Sequence, residues 1–350
     1  MQIQRILTCF ALLALLATSL QAAPLVDYWR FDNNGNNSGT SGRVGTLEGD
    51  AGFSNAQVAP GAGSSHSLQV DGDTDAYILN SAIDRTNLSN LLEGNSSISF
   101  WARSDVSAAD VGSGSIGYMF DFGEGHGSGI GAGFIDNHGI GGNNSDAISG
   151  YYTNNGFGDT GVAGNADQWY HVAMTRDGNL VSLYIDGALA ATTNEASPNI
   201  NTGRPFSIGR QAKSIDREWE GFLDEFGIFS EALSAEEVSL INDVARNSGL
   251  DYDLDELNQL FELHDSGDSS ATVVLDDLIW TYFVDDNGTF AGLGIGDGEF
   301  GTDGTQSFLN FGNGTGLATL LIPEPVSIAI WSLFGLGLAG FGYGRTRRKK

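Results

Sequence analysis

The sequence predicts an all-β protein built as an antiparallel β-sandwich, and two observations support that prediction. Glycine accounts for 50 of the 350 residues, and only 17% of the residues are charged. This composition favours many short strands joined by tight turns over a bundle of charged helices. Apolar and polar residues also alternate over several short stretches that are separated by turn-forming residues, which is typical of half-buried strands.

The clearest strands form an antiparallel meander. Residues 169–176 alternate apolar and polar side chains, and Asp177-Gly178 follows them as a hairpin turn. Residues 180–185 alternate in the same way before a second turn at Asp186-Gly187, and residues 188–193 are the third strand. Such a meander buries one face and leaves the other in water.

The remaining strands and one helix are predicted along the rest of the body. The strands are Leu25–Phe31, Ser67–Val70, Ala76–Leu79, Ile98–Arg103, Tyr118–Phe122, Phe206–Gly209 and Phe222–Phe229. Ser234 and Glu237 match a capping box ahead of an apolar stretch, so a helix is expected to begin there. Many short strands at this spacing indicate a sandwich.

The charge and cysteine content exclude several partners. Acidic residues outnumber basic ones by 44 to 16, and six of the 16 basic residues lie in the two terminal segments, which leaves ten between Arg30 and Arg246. A body of this charge repels nucleic acid and anionic lipid, so neither is expected as a partner. The one cysteine, Cys9, lies in the N-terminal apolar run, so the body has no thiol for a disulfide or a thiolate metal site.

Both ends of the chain carry apolar segments, and a different role is expected for each. Residues 1–23 combine Arg5, an apolar core and a small-residue end, which is the pattern of a secretory signal peptide. Residues 326–343 are 18 uncharged residues, long enough to span a bilayer as a helix. The basic cluster that follows stays on the cytoplasmic side, so the body is expected outside the inner membrane.

In the last 30 residues, 321–350, Pro323, Glu324 and Pro325 precede the apolar run, and the chain ends in RTRRKK. This segment resembles the PEP-CTERM protein-sorting signal of Gram-negative bacteria. The resemblance implies recognition by an exosortase-type processing enzyme, a transient stay in the inner membrane, and delivery to the cell surface or extracellular matrix. Release of the body and retention at the membrane both remain open.

The body, residues 24–248, contains the stretches WYHV at 169–172, LYIDG at 183–187 and GFLDE at 221–225. In these stretches it resembles a LamG-like jelly roll of the concanavalin A-like type. This resemblance implies the sandwich fold and a range of functions that includes carbohydrate binding, adhesion and, in distant relatives, glycan cleavage. The fold therefore does not fix the function.

Residues 249–320 differ in character and are predicted to form a small α+β accessory or spacer segment. Leu250–His264 has helical spacing. Thr272–Val284 is either one long strand or a hairpin that turns at Asp276-Asp277, and Gly288–Gly304 is expected to be a loop. The segment carries no motif of known chemistry.

A structural calcium ion is the cofactor that the sequence suggests. An acidic, exported chain is rich in the oxygen ligands that calcium prefers. The jelly-roll resemblance implies Asp32 and Asp224 as ligands that join the first and last strands; the alternative is that Asp224 accepts backbone hydrogen bonds. Residues 71–75 begin like an EF-hand loop, but Ala76 and Ala82 stand where Gly and Glu are needed, so a turn is expected there.

Sugar binding needs exposed aromatic rings and a few polar groups. Tyr151 and Tyr152, in an Asn- and Gly-rich stretch, are the candidate residues for stacking on a sugar. An extracellular polysaccharide is the corresponding partner.

Catalysis is not expected from the carboxylates in the sequence. Glycan cleavage on this fold needs paired carboxylates, and the Glu-x-Asp-x-x-Glu motif of related glucanases does not occur. Glu218, Glu220 and Asp224 have the right parity, but Gly221 interrupts them. The sequence thus predicts an exported, non-catalytic binding or adhesion protein of the cell surface; a glycan-cleaving enzyme and a purely structural matrix protein are the alternatives.

Overall fold

The structure is a computed structural model in which two compact units divide at Gly267 and Asp268. It describes residues 24–61, 63–72, 74–109, 117–134, 147–213, 217–243, 245–246, 254, 272–275, 278–284, 290–295 and 308–309. The predicted signal peptide, sorting motif and spanning helix lie outside these residues. In the part of the chain that the structure describes, no helix combines the length and the hydropathy that crossing a membrane needs.

The first unit is an antiparallel β-sandwich, which confirms the predicted fold class. Its strands are β1 (Leu25–Trp29), β2 (Thr46–Glu48), β3 (Gly52–Ser54), β4 (Ser67–Asp71), β5 (Ala76–Leu79), β6 (Ser96–Ser104), β7 (Gly117–Gly123), β8 (Gly129–Phe134), β9 (Ile148–Tyr152), β10 (Asn155–Gly156), β11 (Trp169–Asp177), β12 (Leu180–Ile185), β13 (Ala188–Asn194), β14 (Phe206–Ile208) and β15 (Glu220–Phe229). The helices are α1 (Ala82–Leu92) and α2 (Ala235–Asp243).

Two sheets make up the sandwich. Sheet A has eight strands in the order β13-β12-β11-β6-β15-β4-β3, and β1 also pairs with β15. Sheet B has seven strands in the order β10-β9-β8-β7-β14-β5-β2. Many neighbours in both sheets are far apart in sequence, so much of the pairing is non-local. The predicted meander is present as β11, β12 and β13.

Aromatic side chains from both sheets fill the space between them. The ring of Phe226 in sheet A stacks on Phe100 at 4.9 Å between centroids, and it meets Phe120 and Phe206 of sheet B edge-on at 5.7 and 5.8 Å. All four rings are buried. Such offset and edge-to-face pairs add about 1 kcal/mol each to the apolar area that they bury, so this cluster fixes how the sheets face one another.

The expected turn at residues 71–75 is present, but it joins strands of different sheets. It carries the chain from β4 in sheet A to β5 in sheet B. The Asp75 carboxylate lies inside the turn, where it accepts hydrogen bonds from the backbone N–H groups of Asp50 and Asp71 at 2.5 and 3.2 Å. The Asp75 side chain thus stabilises a crossover between the sheets.

Both helices contact strands of sheet A, α1 at β6 and α2 at β13. The capping box of α2 is present, since Ser234 N–H donates to Glu237 at 2.6 Å and Glu237 N–H donates back to the Ser234 hydroxyl at 3.2 Å. The sequence pattern did not predict α1. This helix begins after Ser81, whose side chain accepts a hydrogen bond from Asp84 N–H.

The second unit contains a four-stranded antiparallel sheet in the order β16-β17-β18-β19. These strands are β16 (Thr272–Leu275), β17 (Leu278–Val284), β18 (Phe290–Ile295) and β19 (Phe308–Leu309). The hairpin alternative for 272–284 is the one observed. The predicted loop over Gly288–Gly304 is wrong in part, because β18 lies in this range and pairs with β17. The glycines in the range suggested a loop although part of it is extended.

Candidate ligand-binding site

One residue from each strand of sheet B lies in a single row across the sheet. The row runs through Thr46, Ile78, Ser207, Asp121, Gly131, Tyr151 and Gly156, each paired in register with the next. Successive side chains of a strand point to opposite faces. Because Phe120 and Phe122 flank Asp121 and lie in the core between the sheets, the row faces away from sheet A.

Asp121 lies at the centre of this row and is fully buried. The Tyr151 hydroxyl donates a hydrogen bond to its Oδ1, and the backbone N–H of Ala212 donates to Oδ2 at 2.7 Å. Burial raises the pKa of Asp121 to about 7, although both hydrogen bonds and the charge of Arg217 act in the opposite direction. A carboxyl group with so perturbed a pKa on the outer face of a sheet is a candidate functional residue.

Gly131 allows the phenol of Tyr151 to reach Asp121 across β8. A Cβ atom at this position would lie 2.9 Å from both the Phe120 carbonyl oxygen and the Tyr151 hydroxyl oxygen. No side chain fits there without moving one of them. The glycine is therefore part of the site, since it creates the space through which the Asp121–Tyr151 hydrogen bond forms.

Two buried polar atoms beside Asp121 have no hydrogen-bond partner within the described residues. They are the Ser207 hydroxyl in the same row and the Oε1 atom of Gln211. The other amide atom of Gln211, Nε2, lies 3.3 Å from the Tyr118 hydroxyl and donates to it. Buried polar groups are nearly always satisfied, so these two atoms mark a place where a hydroxyl-bearing ligand or water would be stabilised.

A tight turn at residues 123–128 stands at the end of β7 beside this buried cluster. Gly123, Gly125 and Gly127 have φ values of 102°, 80° and 115°, which favour glycine. The Gly127 N–H donates to the Thr153 carbonyl at 2.7 Å, which ties the turn to the end of β9. This turn, which we call the site turn, presents Glu124 and the exposed His126.

Four side chains on and beside the site turn form what we call the rim: Glu124, His126, Arg204 and Lys213. Arg204 Nε donates to Glu124 Oε1 at 2.8 Å, and Lys213 Nζ lies 3.4 Å from Glu124 Oε2. The hydrogen bond from Arg204 is the main cause that lowers the pKa of Glu124. The imidazole of His126 lies edge-on to Tyr151, with 6.1 Å between the ring centroids. The rim therefore places solvent-exposed polar groups beside Tyr151, a buried residue of the row.

The structure corrects the expectation for Tyr151 and Tyr152. Both rings are buried, with 0% and 2% of their surface exposed, so neither offers an exposed face to a sugar. The Tyr152 hydroxyl donates to the Leu92 carbonyl, and its ring lies in the core. Tyr151 belongs to the candidate site, but as a hydrogen-bond donor to Asp121. Apolar residues on both sides of Asp121 could have indicated that this carboxylate lies in a strand on the face opposite the core. Sequence reasoning did not identify Asp121 as a site residue.

Asp32 and Asp224 bond to adjacent residues of one loop. Asp224 is fully buried and accepts hydrogen bonds from Ala59 N–H at 3.0 Å and from the Ser64 hydroxyl at 2.9 Å. Asp32 accepts two hydrogen bonds from Ser65, from N–H at 2.8 Å and from the hydroxyl at 2.6 Å.

These contacts fit the hydrogen-bonding alternative for Asp224. Within the described ranges, no three His, Cys, Asp or Glu side chains come together in a way that could hold a metal ion. Asp224 and Asp32 instead use their oxygens to fasten the loop that contains both serines. Calcium binding by this pair remains a prediction.

Part of the sandwich is similar to known proteins. Residues 71–239 match a laminin G model that is described as the concanavalin A-like lectin/glucanases superfamily. No curated protein sequence matches this chain. A similar solved structure is domain 4 of AbnA, a GH43 extracellular arabinanase from Geobacillus stearothermophilus, in complex with arabinotriose; it is 18% identical, covers 65% of this chain and 100% of its own, and has a TM-score of 0.46.

Two further solved structures show lower similarity. The binding domain of botulinum neurotoxin serotype D is 16% identical, with a TM-score of 0.43, and the match covers 63% of this chain and 51% of that one. Trypanosoma rangeli sialidase in complex with the inhibitor DANA is 14% identical, with a TM-score of 0.38, and the match covers 63% of this chain and 32% of that one. The match thus spans about half of the toxin domain and a third of the sialidase.

Proposed function

We propose that this chain is an exported, non-catalytic carbohydrate-binding protein of the cell surface or extracellular matrix, and the match of residues 71–239 to the concanavalin A-like lectin/glucanases superfamily supports this proposal. The superfamily includes both lectins and glucanases, so the fold by itself supports either activity. In this proposal the ligand binds at the rim and the residues of the row beneath it.

The observation that carries the proposal is that the exposed rim adjoins buried polar residues of the row: His126 lies edge-on to Tyr151, which donates to Asp121. Sugar hydroxyls both donate and accept hydrogen bonds, and the rim provides a carboxylate, a guanidinium, an ammonium and an imidazole group. Ion pairs hold Glu124 between Arg204 and Lys213, and His126 Nε2 lies 3.1 Å from the Asn154 carbonyl oxygen. Groups that are held in place before binding lose less conformational freedom when the ligand arrives.

Delivery to the surface is the second part of the proposal. It is supported by the resemblance of the last 30 residues to the PEP-CTERM signal and by the signal-peptide pattern of residues 1–23. An exosortase-type enzyme would then process the chain near Pro323, Glu324 and Pro325.

Glycan binding by the purified protein tests the proposal. We expect measurable binding to at least one polysaccharide on a glycan array, confirmed by calorimetry. His126→Ala removes a rim hydrogen bond worth about 1 kcal/mol, so it should weaken binding roughly fivefold. His66→Ala, which changes a histidine beside Asp32 rather than at the rim, is the matched control and should bind normally. Equal loss in both variants would contradict the assignment of the site.

Glycan cleavage is the second candidate function, and one observation favours it. Asp121 has a raised pKa and Glu124 a lowered one, and an acid–base pair for glycoside hydrolysis needs two carboxyl groups that differ in this way. Against it, both Asp121 oxygens accept hydrogen bonds from within the protein. Release of reducing ends that disappears in Asp121→Asn and Glu124→Gln would establish the enzyme. If the protein neither binds nor cleaves any glycan, a structural role in the matrix is the alternative that remains.

A further inference from the structure

The positive charge of the body is concentrated beside the rim. Of the ten basic residues between Arg30 and Arg246, four lie in the fourteen-residue segment 204–217: Arg204, Arg210, Lys213 and Arg217. The same segment contains one acidic residue, whereas the whole chain carries 44. An even distribution would place fewer than one basic residue in a segment of this length, so the cluster is a local feature that differs from the rest of the surface.

Among the residues that the structure describes, the contacts of these side chains leave positive charge in excess at the rim. Arg204 and Lys213 share the single carboxylate of Glu124, and their side chains remain 41% and 52% exposed. The charge of Arg217 acts to lower the pKa values of Tyr118 and Asp121, which burial raises. Arg210 differs from the other three, because it pairs with Glu48.

This excess charge selects the chemistry of a ligand. Charges on the exposed surface are screened over about 10 Å, so a polyanion that is repelled by the acidic body would still experience the cations at the rim locally. Planar guanidinium groups and ammonium groups are the side chains that pair with carboxylates. The exposed positions of Arg204 and Lys213 leave them accessible for such pairing without unfolding the site turn.

We propose that the rim recognises an acidic polysaccharide, and that uronate carboxylates of this ligand pair with Arg204 and Lys213 in competition with Glu124. This inference rests on the proposed carbohydrate-binding function and deepens it by naming the ligand class. Hydroxyl groups of the same sugar residues bind His126 and the buried polar atoms beside Asp121, which are the Ser207 hydroxyl and Gln211 Oε1. Glu124 then acts as an internal substitute for the ligand carboxylate, holding the two cations in position before binding.

Polygalacturonate and its fully methyl-esterified form provide a matched pair of probes, because they share one backbone and differ in charge. We expect the intact protein to bind the acidic form at least tenfold more tightly at low salt, with most of that preference lost at high salt, where screening is stronger. Arg204→Gln and Lys213→Gln should each reduce binding of the acidic form about fivefold, while Arg85→Gln, in α1, should leave it unchanged. Glu124→Gln should strengthen this binding severalfold, because it releases both cations.

The outcomes separate this inference from the function on which it rests. Equal binding of both probes, or weaker binding of polygalacturonate by Glu124→Gln, would overturn the acidic ligand class and leave carbohydrate binding intact. Failure to bind either probe, together with binding of a neutral glycan elsewhere on an array, would also overturn the ligand class alone. Failure on every glycan would overturn both proposals.

Discussion

Replacing Asp121 with asparagine should remove a specific part of the pH dependence of stability. The asparagine side chain keeps the size of the aspartate, can accept the hydrogen bond from Ala212 N–H, and can donate to the Tyr151 oxygen. It cannot take up or release a proton between pH 5 and pH 8. The stability difference between the wild-type protein and Asp121→Asn therefore isolates the titration of this one carboxyl group.

The sign and size of the effect follow from the pKa. The pKa of Asp121 rises from 3.8 to about 7 on folding, so the folded state holds its proton more tightly than the unfolded state. The resulting stabilisation is fully present below about pH 4 and is lost as the pH rises through about 7. A shift of about three pKa units corresponds to roughly 4 kcal/mol in total, of which roughly 2.5 kcal/mol disappears between pH 5 and pH 8.

Urea unfolding followed by tryptophan fluorescence at pH 5, 6, 7 and 8 measures this difference. We expect the stability of the wild type relative to Asp121→Asn to fall by roughly 2.5 kcal/mol over the series. The buried Asp224, whose pKa is also raised to about 7 by burial, is present in both proteins and cancels. Asp50→Asn, an exposed change, should follow the wild type. If the free energy of unfolding changes with pH in the same way for the wild type and Asp121→Asn, the raised pKa of Asp121 is refuted.

Three further predictions concern other parts of the chain. Gly131→Ala should lower the free energy of unfolding in urea by about 2 kcal/mol, because the new methyl group overlaps the Phe120 carbonyl and the Tyr151 hydroxyl. Gly52→Ala, where the nearest atom would be 3.9 Å from the new methyl group, should leave the stability unchanged. Equal effects of the two substitutions would contradict this packing. Calcium should raise the melting temperature and a chelator should lower it if Asp32 and Asp224 bind the ion, and the absence of both shifts would exclude that site. Replacing Pro323-Glu324-Pro325 should leave an uncleaved form in the inner membrane, and unchanged processing would refute the sorting role.

The strands that sequence predicted well are those with local signals. Residues 169–193 combine strict alternation with two Asp-Gly turns, and the structure places β11, β12 and β13 there with nearly the same bounds. The helix α2 was predicted from its capping box for the same reason. By contrast, α1 has a weakly amphipathic sequence, so its apolar residues give little periodic signal, and it was missed.

The candidate site was harder to predict because it depends on distant residues. Tyr151 was expected to be exposed, yet its hydroxyl bonds Asp121, 30 positions away, and the Tyr152 hydroxyl bonds Leu92, 60 positions away. The row itself joins residues from Thr46 to Ser207 through registers that no local pattern encodes. Polarity at Asp121 was visible in the sequence, but its burial and its raised pKa follow from the assembled sheet.

The most direct test of the account is the footprint of a bound glycan measured by hydrogen–deuterium exchange. With a polysaccharide that the protein binds, we predict slower exchange in the site turn, residues 123–128, and in residues 204–213, with no change in α1 or in β12 and β13 of sheet A. Protection confined to sheet A or to α1 would contradict the assignment of the binding site to the outer face of sheet B.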